Sequence, residues 1–398
     1  MRILFLSRWY PYPLDNGSRI RVFNLLKILS VQHEVDLLSF VEREISQTQL
    51  DAMAAYCRHI AVAIYIPFQP DRIHALKGLF SVQPRSAKAT YSLEMQTLVD
   101  ALTRARRYDV VIASQVDMIP YTPQGIPAIL EELEFATLVE QYTKATSLPR
   151  KVRHGLTLSK LRRYLQACLP RFAACTVVAQ HELDHVRRAV PSYGGRLAVV
   201  PNGVDRAYYT GDFGSLRPDT LIYAGAVTYQ ANYDAVDYFV RVILPLIQEQ
   251  RPQVQLFVTG GTGDVAVEHL RCRPGVHFTG YVDDLRPLVA QSWVAVVPLR
   301  RGGGTRLKIL EALALGTPVV ATSKGAEGLD LVPGQDILIG DQPRTFADNV
   351  LQMLGDPDQR ARLQAAGHSA IARYDWRAIG EHFCHLVEGV AEDTDIRR

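Results

Sequence analysis

Apolar positions along this 398-residue chain gather in short runs, separated by longer stretches with helical spacing. Runs such as Ile3-Leu4-Phe5-Leu6 are too short for a buried helix and lack polar alternation, as in strands covered on both faces of a parallel sheet. In the first half the pattern predicts strands near 2–7, 34–40, 60–66, 109–113, 127–131, 174–178 and 196–200. Helical patterns fall near 18–30, 47–57, 92–106, 135–145, 156–169 and 180–189. Pro201-Asn202-Gly203-Val204-Asp205 predicts a turn, and the polar stretch 206–218 a linker. A second alternation begins at Leu221, with strands near 220–224, 254–259, 276–279, 293–297, 318–321 and 337–340. Helices lie between and after them. Strands alternating with helices predict two α/β layers in tandem, each a parallel sheet that binds ligands at the carboxyl ends of its strands. A last helix, from about Trp376 to Glu392, carries Phe383, Leu386, Val387 and Val390 on one face. It either closes its own domain or crosses back to the first. The polar tail 392–398 is expected to fray.

Length supports the same division, since 398 residues exceed one ordinary core. Apolar residues make up 47% and charged residues 21%, the balance of a globular protein. A net charge of +3 implies no bulk attraction to nucleic acid. Cys57, Cys168, Cys175, Cys272 and Cys384 are dispersed, without the spacing of a zinc site or a disulfide frame. They are expected to be free thiols in a reducing compartment. The chain opens directly on its first strand, and no apolar run reaches the roughly 20 residues of a membrane span. A cytoplasmic setting is the expectation.

The most informative chemistry lies at Gly302-Gly303-Gly304-Thr305-Arg306-Leu307-Lys308, which runs into a helix closed by Gly316. Glycines let the backbone approach a ligand closely, and a helix N-terminus offers unpaired N–H groups and a positive dipole end. Such an end suits a phosphate or diphosphate. Thr305, Lys308 and Glu311 recur every three residues, so anion donors and a carboxylate share a face. The same spacing also fits a capped helix with a solvated Lys308–Glu311 pair.

Other motifs compete. The loop Pro11–Arg21 places Gly17 before the first helix, with Arg19 and Arg21 adding positive charge, or simply forms a strand–helix connection. Gly261-Thr262-Gly263-Asp264-Val265-Ala266 matches a dinucleotide fingerprint, with Asp283 and Asp284 about twenty residues on, and keeps a nicotinamide oxidoreductase open. It sits in the middle of the second layer, away from the first βα turn. Asp393-Thr394-Asp395 imitates a metal-binding DxD but lies in the tail. The glycine run lacks GK[ST] spacing, and no serine occupies a GxSxG elbow. Between 150 and 171 seven Lys and Arg residues occur without an acidic one, interleaved with Leu156, Leu158, Leu161, Tyr164 and Leu165. That segment predicts either a basic surface resting on anionic lipid or a solvated helix face.

Together these blocks resemble the bacterial retaining glycosyltransferases of family four, over nearly the whole chain. The resemblance rests on the N-terminal strand and glycine loop, Val200–Asp205, Gly280-Tyr281-Val282-Asp283, and the glycine run through Glu311. Gly316-Thr317-Pro318-Val319-Val320, Gly325–Leu329 and Tyr374-Asp375-Trp376 complete it. It implies a GT-B fold, two Rossmann-like domains facing across a cleft. Residues 1–202 would bind acceptor, with the helix 376–395 packing back on them, and 203–375 would bind the nucleotide-sugar donor.

The resemblance also implies roles. Glu311 corresponds to the second glutamate of the E-x7-E motif and would bind ribose. Gly303, Gly304, Thr305, Arg306 and Leu307 would hold the diphosphate, met by Gly17, while Tyr281 and Val282 would face the base. Three departures stand out. Gly303 replaces the first motif glutamate, Gly225–Asn232 lacks the Arg and Lys of many relatives, and Ala113–Asp117 lacks a histidine after the fourth strand. Arg306 and Lys308 are therefore expected to supply the leaving-group charge, making Arg306, Lys308 and Glu311 the catalytic set. The implied activity moves a hexose from a nucleotide diphosphate sugar, UDP-sugar favoured, to an acceptor hydroxyl without metal or cofactor. Its implied setting is exopolysaccharide, envelope or glycolipid synthesis, at the cytoplasmic side of a membrane. A nucleotide-sugar epimerase or hydrolase, or a silent sugar-nucleotide-binding protein, are the alternatives.

Overall fold

The computed structural model describes residues 1–67 and 90–395. Two compact units emerge, Met1–Asn202 with Ile379–Arg398, and Gly203–Ala378.

In the first unit β1 (Arg2–Ser7), α1 (Gly17–Leu29), β2 (Glu34–Val41), α2 (Gln47–Ala54) and β3 (His59–Ile64) lead to α3 (Leu93–Ala105). Then follow β4 (Val110–Ser114), β5 (Ala128–Glu131), α4 (Ala136–Thr143), α5 (Leu148–Cys168), β6 (Ala174–Val177), α6 (Gln180–Ala189) and β7 (Arg196–Val199). The strands pair in parallel in the order β3-β2-β1-β4-β5-β6-β7. β1 pairs on both sides, Ile3 against Val35 and Val110. Ile3 to Leu6 and Val110 to Ala113 are fully buried, which explains their unbroken apolar runs. Side-chain caps start several helices: Asn16 accepts from Arg19 N–H at 3.0 Å, and Ser46 forms a capping box with Gln49.

The second unit contains β8 (Arg217–Ala224), α7 (Gln230–Tyr238), which continues through a π-turn at Phe239–Ile243, and α8 (Leu244–Gln248). β9 (Gln255–Thr259), α9 (Glu268–Arg271), β10 (Val276–Gly280), α10 (Arg286–Gln291) and β11 (Ser292–Val297) follow. α11 (Leu307–Ala314), β12 (Val319–Ala321), β13 (Leu338–Ile339), α12 (Pro343–Gly355) and α13 (Pro357–Ala370) complete it, ahead of the last helix, α14 (Trp376–Asp395). Its parallel sheet runs β10-β9-β8-β11-β12-β13. From Ile379 onward α14 belongs to the first unit. There Gly380 lies so close to α1 that an added Cβ would fall 2.5 Å from Ile28 Cδ1, and Arg196 pairs with Asp393 at 2.7 Å.

Three expectations need correction. The helix placed at 156–169 begins eight residues earlier, at Leu148, because Pro149 is tolerated in a first turn whose N–H groups have no intrahelical partners. The stretch Gly261–Ala266 does not open a helix. It forms a loop ahead of the four-residue α9, so the dinucleotide fingerprint loses its helix N-terminus. Of the polar tail, 392–395 continue α14, and Ile396-Arg397-Arg398 lie outside the described residues.

Candidate active site

In the second unit the chain reverses direction across the sheet between β8 and β11, the position where open α/β sheets form their binding crevice. Two loops meet there: Gly225–Tyr229 after β8, and 298–306 after β11. The second is held by arginines. Arg300 donates to Asp234 of α7 at 2.8 Å, and Arg301 bonds the same carboxylate. Arg306 is buried, with Nη1 donating to Gly303 O at 2.6 Å and Nη2 to Gly302 O at 2.7 Å and Lys324 O at 3.3 Å. Glycine is required at 302 and 304, where φ is 102° and 78°, since side chains strongly disfavour that region. Leu307 N–H donates to Thr305 O at 3.0 Å, tightening the entry to α11.

Lys308 and Glu311 leave α11 on one face. Lys308 Nζ donates to Asn232 Oδ1 and Tyr223 Oη, each at 3.0 Å, and stands 4.2 Å from the Tyr223 ring centroid. An added Cβ on Gly225 would approach that ammonium to 2.7 Å. The β8 turn has no cation of its own in sequence. Lys308 brings one to it in space. Burial pushes the Lys308 pKa down to about 7, with the Arg306 charge adding to the effect and Glu311 opposing it. Glu311 accepts from Tyr209 Oη at 3.1 Å. Burial raises the Glu311 pKa, against the stabilising influence of Tyr209 and Lys308. Tyr281 and Val282 follow β10 at the same carboxyl edge, Tyr281 being 78% exposed. They stand two strands from β8, so the described contacts do not join them to the Lys308 cluster.

The first unit has its own crevice position, between β1 and β4. Gly17 begins α1 there, directly after its cap, Asn16. The positive charge expected from Arg19 and Arg21 is consumed. Arg19 pairs with Asp15 at 2.9 Å, and the fully buried Arg21 pairs with Glu131 at 2.5 Å and donates to Asn202 Oδ1 at 3.0 Å. Ser114 Oγ donates to the other Glu131 oxygen at 2.7 Å. Beside this core pair lies a half-buried polar chain that no motif announced. Trp9 Nε1 donates to Gln115 Oε1 at 3.1 Å, and Gln115 Nε2 donates to Glu132 Oε2 at 2.9 Å. Gln115 and Glu132 both have left-handed backbones, φ 72° and 57°, a strained conformation for such side chains. Burial raises the Glu132 pKa to about 7, helped by the Glu131 charge and opposed by Arg21 and the Gln115 hydrogen bond.

The second unit also matches a family model. Residues 218–356 fit glycosyl transferases group 1. A phosphatidyl-myo-inositol mannosyltransferase of Mycobacterium tuberculosis is 30% identical to this chain over 226 residues, 52% of the chain and 58% of that protein. The chain thus spans little more than half of that relative's length. An uncharacterised protein from the cps region of Klebsiella pneumoniae is 17% identical over 88% of the chain and 90% of its own length. Among solved structures, Anabaena HepE in complex with UDP superposes with a TM-score of 0.68 at 14% identity, covering 98% of the chain and 100% of HepE. WaaG, a glycosyltransferase involved in lipopolysaccharide biosynthesis, gives 0.63 at 13%, covering 97% of the chain and all of WaaG. The chain therefore has the GT-B fold, with each unit Rossmann-like.

Sequence reasoning placed the glycine loop, Arg306, Lys308 and Glu311 in one neighbourhood, and the structure brings them together there. It missed Tyr209, Tyr223 and Asn232. The stretch containing Asn232 drew attention only for the cation it lacks, and Tyr209 lay in an assumed linker. In the first unit, Trp9, Gln115 and Glu132 come from three separate segments, which left no spacing to detect.

Proposed function

We propose that this protein transfers a hexose from a nucleotide diphosphate sugar, a UDP-sugar favoured, to an acceptor hydroxyl with retention at the anomeric carbon. The carrying observation is the convergence of Lys308, Glu311 and the arginine-clamped glycine loop at the switch point of the second sheet. A departing diphosphate needs positive charge and N–H donors fixed before the reaction. Lys308 supplies a charge that a diphosphate draws into its protonated form. Arg306 shapes the loop whose backbone meets the phosphates, and Glu311, steadied by Tyr209, accepts ribose hydroxyl hydrogens. With these groups in place the leaving phosphate assists front-face attack, and the chemistry runs without a metal or organic cofactor. Resemblance to proteins named as mannosyltransferases and to HepE with UDP supports this class of donor.

The acceptor is a glycan or lipid-linked hydroxyl compound, handled by the first unit at the cytoplasmic side of a membrane. There the indole of Trp9, the amide of Gln115 and the carboxylate of Glu132 suit sugar hydroxyls. A thermal-shift screen of UDP-, GDP- and ADP-sugars, followed by transfer assays, tests the proposal. A UDP-sugar should raise the melting temperature most, because ligand binding stabilises by mass action. Ala at Arg306 or Glu311 should cut turnover by about 10- to 100-fold, the value of one charged hydrogen bond. Near-wild-type transfer by both variants would remove the site assignment. Sugar products formed without acceptor, read by NMR, would favour the epimerase or hydrolase reading instead.

A further inference from the structure

Helix α5 presents two unlike faces. Leu161, Tyr164 and Leu165 are buried in the core of the first unit, and Leu158 packs against it. The interleaved leucines of the sequence therefore mostly face inward. The outward face is a different set. Leu148, Val152 and Leu156 are 74%, 53% and 44% exposed, and their four-residue spacing aligns them in one stripe. At roughly 100° per residue, Arg163 continues that stripe, Lys151 lies on one flank and Arg153 on the other. All three cations are exposed, and residues 148–171 include no Asp or Glu.

A line of exposed aliphatic side chains whose charged neighbours on α5 itself are all cations is complementary to an anionic lipid surface, where the apolar crown enters the headgroup layer and the cations meet phosphates. A second copy of the chain is a poor fit, since two such faces would oppose cation to cation. Nucleic acid would pair with the cations but leave the aliphatic stripe in water. We propose that the outer face of α5 docks on anionic bilayers, with Leu148, Val152 and Leu156 inserted and Lys151, Arg153 and Arg163 on lipid phosphates. The surface gives the proposed lipid-linked acceptor chemistry a place on the molecule. It rests on that reading for its purpose alone, because vesicle binding is measured without donor.

The test is flotation of the full chain with vesicles of phosphatidylglycerol and phosphatidylcholine, against phosphatidylcholine alone. The wild type should float with the anionic vesicles and not with the neutral ones. L148S/V152S/L156S and K151E/R153E/R163E should each weaken binding at least tenfold while keeping the wild-type circular dichroism spectrum and melting temperature. Transfer to a soluble acceptor should be unchanged in both. Failure of the wild type to bind, or equal binding by both variants, overturns the inference. So does a wild-type dimer that the serine variant converts to monomer in gel filtration, because the stripe would then be a subunit interface. Vesicle binding without any transferase activity would leave the inference standing and reject the proposed function.

Discussion

Lys308 Nζ donates to the hydroxyl of Tyr223 at 3.0 Å, joining the helix after β11 to the end of β8 across 85 positions of sequence. The β8 turn, which has no cation of its own, thereby acquires one. Its hydrogen-bond neighbours are an amide oxygen and a phenol, in a buried setting where the Arg306 charge disfavours the ammonium and Glu311 only partly offsets this. Its low pKa follows from that setting.

Donor affinity should therefore depend on pH. Lys308 titrates near 7 in the free protein, below its usual 10.5, so it is charged below that pH and increasingly neutral above it. A diphosphate favours the charged form, and UDP affinity should fall as pH rises through about 7. Calorimetry of UDP binding from pH 6 to 9 checks this. K308M should weaken binding by roughly 10- to 100-fold and remove the slope, as expected for loss of one charged hydrogen bond. A K308M profile that still falls through pH 7 would assign the titration elsewhere.

Tyr209 holds Glu311 by a single hydrogen bond from its hydroxyl. Y209F should raise the donor KM by about 2- to 12-fold, equivalent to ~0.5–1.5 kcal/mol, with little change in kcat. Steady-state kinetics in donor separates this from a folding defect, because the ring remains in place. An unchanged KM would mean that Glu311 is positioned by its helix alone.

Glu132 provides the opposite limb. Its pKa is raised to about 7, so it is protonated below that pH and ionised above it. If the carboxylate accepts an acceptor hydroxyl hydrogen, kcat/KM for acceptor should rise with pH through about 7, making the full profile bell-shaped between Glu132 and Lys308. E132Q should flatten the acidic limb and leave UDP binding unchanged. Persistence of that limb in E132Q would exclude the assignment.

Arg21 and Glu131 are both fully buried, and the Arg21 guanidinium also holds Asn202 at the end of the first unit. R21A strands a buried carboxylate and should cost about 3–5 kcal/mol in urea unfolding. R21M/E131L removes both charges and should recover much of that loss. A double variant no better than R21A would assign the cost to the Asn202 and Pro201 contacts instead.

Much of the architecture was legible because two-sided burial leaves continuous apolar runs. Val110–Ala113 and Val319–Ala321 can hardly be read otherwise. Helix starts were less legible. Leu148 has no capping hydrogen bond from Ser147, and the helical pattern is legible only from 156 onward. The glycine loop and Glu311 stood out because backbone freedom and helical spacing are local properties.

Local spacing also assigned Lys308 correctly to the glycine loop's helix, along with the alternation of strands and helices and the capacity for close backbone approach. Tertiary structure decided what those residues serve. It turned Arg306 inward onto the carbonyls of its own loop, carried Lys308 to the β8 turn, and neutralised Arg21 within the core. Residues 102 positions apart have no common sequence period, so Tyr209 and Glu311 become neighbours only when the parallel sheet order brings their segments together. The same holds for pKa. Composition assigns ordinary values to Lys308 and Glu132, and burial beside particular charges moves both to about 7.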